Sequence, residues 1–378
     1  MNNISLLVGL KNNLDYNKNF YTTTRELYPE VEICFVSYGS TDKTHEWLDE
    51  LKDNNLKYFY SEESKTFSDT FNKAAELSTK DYVVYLHNDI VLAPNFLENI
   101  EKHLDENNVV SYTTIEPPIF SGHERPGKII YDLGSDLQTF NKERMYEFAK
   151  EKQVEYLNKT EPGITFFMCM SKSILLDIGG MDNLFNPMFC EDDDLIQRFK
   201  LMGLNIFTSL DAICYHFVSK TSRFSEEYQL KTKQIEHNSN RNFVRKWGFR
   251  NSTHNKKYNI GFKVYNCNHL LLELLEVWCD IIWVSENIIE EYIQKEQVNT
   301  KYDLRKRVHS IENSDVKDYM DIAVEFDAKN FTQDSFNIIQ NLSDIITESG
   351  EVGEFTLDCF KITIQQLETY EKNLIRLV

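Results

Sequence analysis

Four short apolar runs, at residues 4–8, 31–36, 56–60 and 82–86, are separated by segments with helical spacing at 16–27, 43–51 and 67–77. Strand runs divided by helices of about ten residues call for a mainly parallel sheet with right-handed crossovers, since parallel neighbours cannot be joined by a tight turn. The fourth run is almost wholly apolar, which predicts burial on both faces. Tyr28-Pro29 ends the first helix, and Gly39-Ser40-Thr41-Asp42 reads as a turn after the second strand. The expected class is therefore α/β, Rossmann-like, with a mainly parallel central sheet.

Residues 109–157 are less regular. Pro117-Pro118, Pro126-Gly127 and Gly134 predict loops there. A strand is expected at 165–170 and a helix at 172–177. Residues 192–202 form a short helix in which Leu195, Ile196, Phe199 and Met202 share one face and Gly203 marks the exit. Strands are expected at 204–208 and 212–216. The polar, basic stretch 251–259 reads as a boundary, giving domains at 1–255 and 256–378. Beyond it the spacing of Leu271, Leu274, Leu275, Trp278, Ile281, Ile282, Ile288, Ile289 and Tyr292 predicts a long apolar helical stripe. Further helices are expected at 314–328, 333–348 and 355–376. The second domain is thus expected to be all-helical, serving acceptor binding or homo-oligomer formation.

Charge and cysteine usage narrow the partners. A net charge of −19 argues against nucleic acid, whose recognition draws on Lys and Arg. Seven cysteines without a CxxC pair, mostly among apolar neighbours, predict reduced buried thiols and a cytoplasmic location. Met1-Asn2-Asn3-Ile4 carries no basic segment or long apolar core and is expected to lead into the first strand. Residues 270–284 are the densest apolar stretch, but Glu273, Glu276 and Asp280 make it too charged, and its length too short, for a transmembrane segment.

Three signals carry chemistry. His87-Asn88-Asp89 ends the fourth strand, where open α/β sheets place their ligands. A hard cation favours such a carboxylate together with bridging phosphates. Glu191-Asp192-Asp193-Asp194 opens a helix after Gly179-Gly180-Met181-Asp182 and Phe185-Asn186-Pro187-Met188-Phe189. Acids there suit the helix dipole, and crowding raises their pKa values, which helps one act as a base. His216 closes an apolar strand and offers a ring nitrogen to a cation, while Lys220 and Arg223 follow closely enough to neutralise a diphosphate.

In their order these segments resemble the family-two glycosyltransferases with the A-type fold, over roughly residues 1–225. The resemblance rests on residues 4–16, on Phe35-Val36-Ser37-Tyr38-Gly39-Ser40-Thr41-Asp42, on Phe71-Asn72-Lys73-Ala74, on Leu86-His87-Asn88-Asp89, and on the Gly179 and Glu191 segments. It implies an inverting transferase that uses a nucleotide-diphosphate sugar donor, a hydroxyl-bearing glycan or glycoconjugate acceptor, and Mn²⁺ or Mg²⁺. Asp89 matches the metal-binding acid, and His216 falls near a further metal ligand. Asp192 matches the general base, with Glu191 beside it. Gly9, Leu10, Lys11, Asn12, Ser37, Tyr38, Gly39, Ser40 and Asn72 would line the nucleotide, with His87 and Asn88 next to the metal and Lys220 and Arg223 near the diphosphate. Two departures stand out. Ser37-Tyr38 replaces a pair of acids of which the second reads the base, and His87 replaces the first acid of Asp-x-Asp. They keep open a catalytically inactive sugar- or nucleotide-binding module. A nucleotidyltransferase or an NAD-dependent oxidoreductase is disfavoured, because Val8-Gly9-Leu10-Lys11-Asn12-Asn13 lacks the glycine-rich loop each needs.

Overall fold

A computed structural model describes residues 3–119, 122–218, 228–312 and 315–377. The chain divides into two compact units, Met1–Lys233 with Arg376–Val378, and Gln234–Ile375.

The first unit runs β1 (Ile4–Leu10), α1 (Leu14–Leu27), β2 (Glu32–Tyr38), α2 (Thr44–Glu50), β3 (Leu56–Ser61), α3 (Phe67–Leu77), β4 (Tyr82–His87), β5 (Ile90–Leu92) and α4 (Phe96–Glu101). It continues with β6 (Asn108–Glu116), β7 (Lys128–Ile130), α5 (Lys142–Glu155), β8 (Thr160–Pro162), β9 (Met168–Ser171), α6 (Lys172–Asp177), α7 (Glu191–Leu201) and β10 (Asn205–His216). The strand order is β3-β2-β1-β4-β9-β6-β10-β5, with β7 on β6 and β8 on β10. β1 pairs in parallel with β2 and β4, β2 with β3, and β6 with β10. β9 is antiparallel to both β4 and β6, so those two share a direction. The carboxyl ends of β1, β2, β3, β4, β6 and β10 therefore all open on one edge of the sheet, the edge where α/β folds bind ligands.

The expected parallel sheet is present, and the apolar alternation builds its core. Ile4, Leu6 and Val8 of β1, Ile33 and Phe35 of β2, and Phe20 of α1 fall in one buried cluster. Each fully buried side chain of this size contributes roughly 1.5–3 kcal/mol. The middle segment is more ordered than its prolines and glycines suggest. β6 is an interior strand, buried at every position but its first. Its Ser111, Thr113 and Thr114 break the apolar run, and hydrogen bonds from Ser111 to Phe167 O and from Thr113 to Ser209 O (3.2 Å) make their burial tolerable. The two strands expected at 204–208 and 212–216 are one, β10, with an irregularity between Ser209 and Ile213.

The second unit takes all of α8 (Thr232–Trp247) beyond Lys233. It continues with β11 (Ile260–Tyr265), α9 (His269–Leu275), β12 (Ile281–Val284), α10 (Ile289–Glu296), β13 (Val308–Ser310), β14 (Ile322–Asp327), α11 (Gln333–Gln340), α12 (Leu342–Ser349), β15 (Gly353–Leu357) and β16 (Phe360–Ile364). Helices are present as expected, notably over 333–349, but this region is not all-helical. It holds a six-stranded sheet in the order β13-β12-β11-β14-β16-β15. β11 is parallel to β12 and β14, and β15-β16 is an antiparallel hairpin on β14. The long stripe breaks into α9, β12 and α10. Runs of four to six apolar residues such as Ile281–Val284 satisfy a buried strand as well as a helix face, so spacing alone cannot separate them. Much of the stripe is spent inside the unit: Leu272, Leu275, Trp278, Ile282, Ile288, Ile289 and Tyr292 belong to its core, as does Val244 of α8, which draws that helix into this unit.

A buried ionic network braces the second unit. Glu276 Oε1 accepts from Arg307 Nε (2.7 Å), and its Oε2 accepts from Arg245 Nε (2.9 Å) and from the Tyr292 hydroxyl (2.9 Å). Glu296 accepts from Arg241 Nε (2.8 Å) and also pairs with Arg245. All seven cysteines are free thiols. Among the described residues no helix is long and apolar enough to cross a membrane.

Candidate active site

The site is assembled where β4, β6 and β10 end on the shared edge. β4 ends at His87, and the turn that follows carries Asp89, which is 2% exposed. β10 ends at His216 and β6 at Glu116. His216 Nε2 lies 3.4 Å from Asp89 Oδ1, and His87 Nδ1 lies 3.9 Å from the same oxygen. One ligand atom from each of His87, Asp89 and His216 falls within 4.8 Å of the others. The His87 and His216 rings are 5.5 Å apart. Phe166 stacks on His87 at 4.6 Å, and Phe167 meets His87 and His216 edge-on at 5.1 and 5.0 Å. An apolar wall of this kind keeps competing water away and orients both imidazoles.

The electrostatics suit a cation. Burial lowers the His87 pKa to about 4, so its ring stays neutral with a lone pair to give. Burial alone would lower His216 too, but the Asp89 and Glu116 carboxylates outweigh it and raise its pKa to about 9. The negative field that favours a proton on this ring equally favours a metal in the proton's place. His87 Nε2 and His216 Nε2 are buried with no hydrogen-bond partner among the described residues. Two imidazole nitrogens and a carboxylate oxygen form a donor set that divalent transition metals accept, and the three residues fit a metal ion.

The acidic helix opens on the same edge. The loop before it is tied to the start of α3, which begins just after the carboxyl end of β3. The Thr66 hydroxyl lies 2.6 Å from Asp69 Oδ2 and 2.7 Å from Asn186 Oδ1, and Asn183 Nδ2 donates to Asp69 Oδ1 at 2.9 Å. Phe189 and Cys190 both have positive φ, 76° and 66°. Each costs about 1–2 kcal/mol in an L-residue, a strain the loop's other contacts sustain directly ahead of Glu191. Asp194 is fully buried and is not a reacting group: Arg198 Nε donates to it at 2.8 Å and the same guanidinium reaches Ile178 O (3.0 Å) and Gly180 O (2.6 Å). Glu191 is buried, with its Oε2 lacking a hydrogen-bond partner among the described residues. Burial first, then the charges of Asp192 and Asp193, push its pKa well up and favour its protonated form. Asp192 is half-buried, and its Oδ1 accepts from Asp193 N at 2.9 Å.

The residues expected to line the nucleotide fall into two groups. Gly9 to Asn12 and Ser37 to Ser40 lie at the carboxyl ends of the neighbouring strands β1 and β2. Their polar side chains join the two loops. Lys11 Nζ donates to Tyr38 O (3.0 Å) and Ser64 Oγ (3.0 Å), and Asn12 N donates to Ser40 Oγ (2.9 Å). Asn12 Oδ1 accepts from Thr41 N at 2.7 Å, and Ser37 Oγ is 2.8 Å from Ser40 Oγ and 3.0 Å from His45 Nε2. A Cβ on Gly9 would come within 2.9 Å of Thr70, so this glycine lets α3 pack on β1. Leu10 is buried in the core. Asn72 and Asn88 face inward: Asn72 exchanges two 2.8 Å hydrogen bonds with the backbone of Met181, and Asn88 Nδ2 donates to Asn17 Oδ1 at 2.6 Å. Gly180, at φ 70°, leaves no room for a Cβ, which would stand 2.3 Å from Asn72 Oδ1. Lys220 and Arg223 lie outside the described residues. Glu116 and the Phe166-Phe167 pair are absent from the sequence expectations. Glu116 carried a usable signal, since like His87 it is the polar end of an apolar run, followed by Pro117-Pro118.

No curated protein matches the chain. Among solved structures it is similar to the mannosyltransferase PcManGT from Pyrobaculum calidifontis, in complex with GDP-Man and Mn²⁺, at 17% identity and a TM-score of 0.42, covering 64% of this chain and 62% of that one. It is also similar to GalNAc-T7, crystallised with UDP, GalNAc and Mn²⁺, at 13% identity and a TM-score of 0.47, covering 64% of this chain and 48% of that one. The chain thus spans less than two thirds of the length of either structure. Residues 5–179 match the model of Glycosyl transferase family 2. That stretch, a little under half of the chain, holds the strand ends that carry Gly9, Ser37, His87, Asp89 and Glu116, and it is over these residues that the chain matches a glycosyl transferase family 2 domain.

Proposed function

We propose that the first unit transfers a sugar from a nucleotide-diphosphate sugar to a hydroxyl group of a glycan or glycoconjugate, with inversion at the anomeric carbon and dependence on Mn²⁺ or Mg²⁺. The observation that carries this reading is the convergence of one donor atom each from Asp89, His87 and His216 on the sheet edge where ligands bind. Those three residues would hold the cation, which when bound supplies positive charge against the departing diphosphate. The loops at Gly9–Asn12 and Ser37–Ser40 carry the nucleotide, and Lys220 and Arg223 are assigned to the diphosphate from sequence alone.

Asp192 serves as the general base. Its carboxylate takes the proton of the acceptor hydroxyl, and the oxygen attacks the anomeric carbon from the face opposite the diphosphate. Glu191, favoured in its protonated form, is a poor base and a good hydrogen-bond donor beside Asp192. The second unit is assigned to acceptor recognition or self-association, for which Leu270, 79% exposed, is a surface anchor. A cytoplasmic location agrees with seven free thiols.

The test is a thermal-shift screen of UDP, GDP, dTDP and CMP with and without Mn²⁺. One diphosphate is expected to raise the melting temperature only with the metal present. Asp89→Ala is expected to abolish that shift while keeping the fold. A nucleotide response that ignores both metal and Asp89 rejects the metal role. Metal-dependent binding without turnover of any donor would favour the inactive binding module.

A further inference from the structure

Glu116 is the one carboxylate of the site that stands behind a candidate ligand rather than beside the cation. It is 7% exposed at the end of β6, while His216 ends the adjacent parallel strand β10. Its Oε1 lies 3.2 Å from His216 Nδ1 and accepts from Thr114 Oγ1 at 3.2 Å, and its Oε2 lies 3.3 Å from Lys128 Nζ. Three partners on three strands, β6, β7 and β10, hold this carboxylate in one orientation. Resting on the metal reading above, we propose that Glu116 is a positioning residue: by accepting from Nδ1–H it fixes the ring of His216 and reserves Nε2 for the cation.

Geometry and tautomer together give Glu116 this role. A neutral imidazole has one N–H and one lone pair, and whichever nitrogen finds an acceptor keeps the hydrogen. Glu116 stands on the Nδ1 side and Asp89 on the Nε2 side, 3.4 Å away. With Nδ1–H engaged, Nε2 is the nitrogen that faces Asp89 and His87, where the donor atoms converge, and a bound cation takes it in place of a proton. A carboxylate behind a ligating histidine also makes the ring a stronger donor, and loss of such a partner typically costs about 10–100-fold in metal affinity. Lys128 matters here as well. Its charge balances Glu116, so the carboxylate acts as a hydrogen-bond acceptor with little surplus charge of its own. Burial opposes ionisation of Glu116, but His216 and Lys128 together keep its pKa below the usual glutamate value.

A purely structural role would have Glu116 and Lys128 clamp β6 to β7 with no consequence for the cation, and metal affinity separates the two. The full chain and its Glu116→Ala and Glu116→Gln variants are titrated with Mn²⁺ alone by calorimetry, with circular dichroism and metal-free melting recorded for each. Glu116→Ala is expected to bind Mn²⁺ about 10–100-fold more weakly. Glu116→Gln, which retains an acceptor for Nδ1–H but no charge, is expected to recover part of that loss and still to bind several-fold more weakly than the native chain. Either variant, if folded and binding Mn²⁺ as tightly as the native protein, overturns the inference, even where its metal-free melting temperature has dropped. Should Glu116→Ala not fold, Glu116→Gln decides alone. Asp89→Ala is the control. A native chain with no Mn²⁺ affinity defeats the metal reading itself, whereas native binding that needs Asp89 and ignores Glu116 defeats only the positioning role.

Discussion

Two sheets of similar design handle buried charge in opposite ways. At the carboxyl edge of the first unit, His87, His216 and Glu191 each keep a buried polar atom without a hydrogen-bond partner among the described residues. In the second unit Glu276 is fully buried, yet both of its oxygens are engaged by Arg245, Arg307 and Tyr292. The pKa values move accordingly. Burial and neighbouring acids push Glu191 well up. Burial would also raise Glu276, but Arg307 and Arg245 reverse it and bring it down to about 2. A buried charge with its partners already inside the protein braces the fold. A titratable group left short of partners on a ligand-binding edge is held ready for something else. The contrast teaches that burial and a shifted pKa do not by themselves mark function; the direction of the shift and the place of the group on the ligand edge have to be read with them.

The contrast can be broken most forcefully at Asp192. General-base assistance contributes about 10²–10⁴-fold in rate, so Asp192→Asn is expected to lose turnover on that order with donor affinity little changed. Near-normal turnover with a working donor and acceptor would move the base to another acid. On the other side of the comparison, Glu276→Gln leaves Arg245 and Arg307 facing a neutral amide in a dry interior. Breaking a buried pair in this way costs about 3–5 kcal/mol. Denaturant unfolding followed by hydrogen exchange is expected to show that loss in the second unit, with Mn²⁺ affinity intact. A loss below about 1 kcal/mol would mean the network contributes little.

Acid sharpens the same point. The folded pKa of Glu276, about 2, lies below the ordinary glutamate value, so the unfolded chain takes up this proton first as pH falls. Its stabilisation, on the order of 3 kcal/mol, is complete above about pH 5 and is lost as pH falls toward 2. Unfolding free energy of the native chain is expected to drop over that window more than that of Glu276→Gln, and parallel curves would refute the linkage. The smallest effect is expected at Glu191. Folding at neutral pH has to protonate this buried acid, and its isosteric amide removes that cost. Glu191→Gln is expected to stabilise the first unit by up to about 1 kcal/mol at neutral pH, against the loss seen for Glu276→Gln. A marked destabilisation on melting would show that Glu191 is a braced charge after all.

Apolar runs set the parallel sheet of the first unit, and the polar residues ending them, His87-Asn88-Asp89 and His216, marked its ligand edge, because strand period and strand ends are local properties. The acids of 191–194 were legible as a group. Their separate fates were not: Asp194 is spent on Arg198, Glu191 is buried, and Asp192 and Asp193 remain half-exposed. The sheet of the second unit escaped for a related reason. Ile281–Val284 and Ile322–Asp327 are too short for their spacing to tell a strand from a turn of helix, and only pairing with β11 makes them strands. Glu116 shows the same limit most clearly. It lies a hundred residues from His216 in sequence, and nothing local joins them. Sequence alone determined which residues could end a strand with a donor atom. Which of those ends meet, and which charges find a partner inside, was decided by the register of β4, β6 and β10, because contact between distant residues is a property of the packed sheet and not of any segment within it.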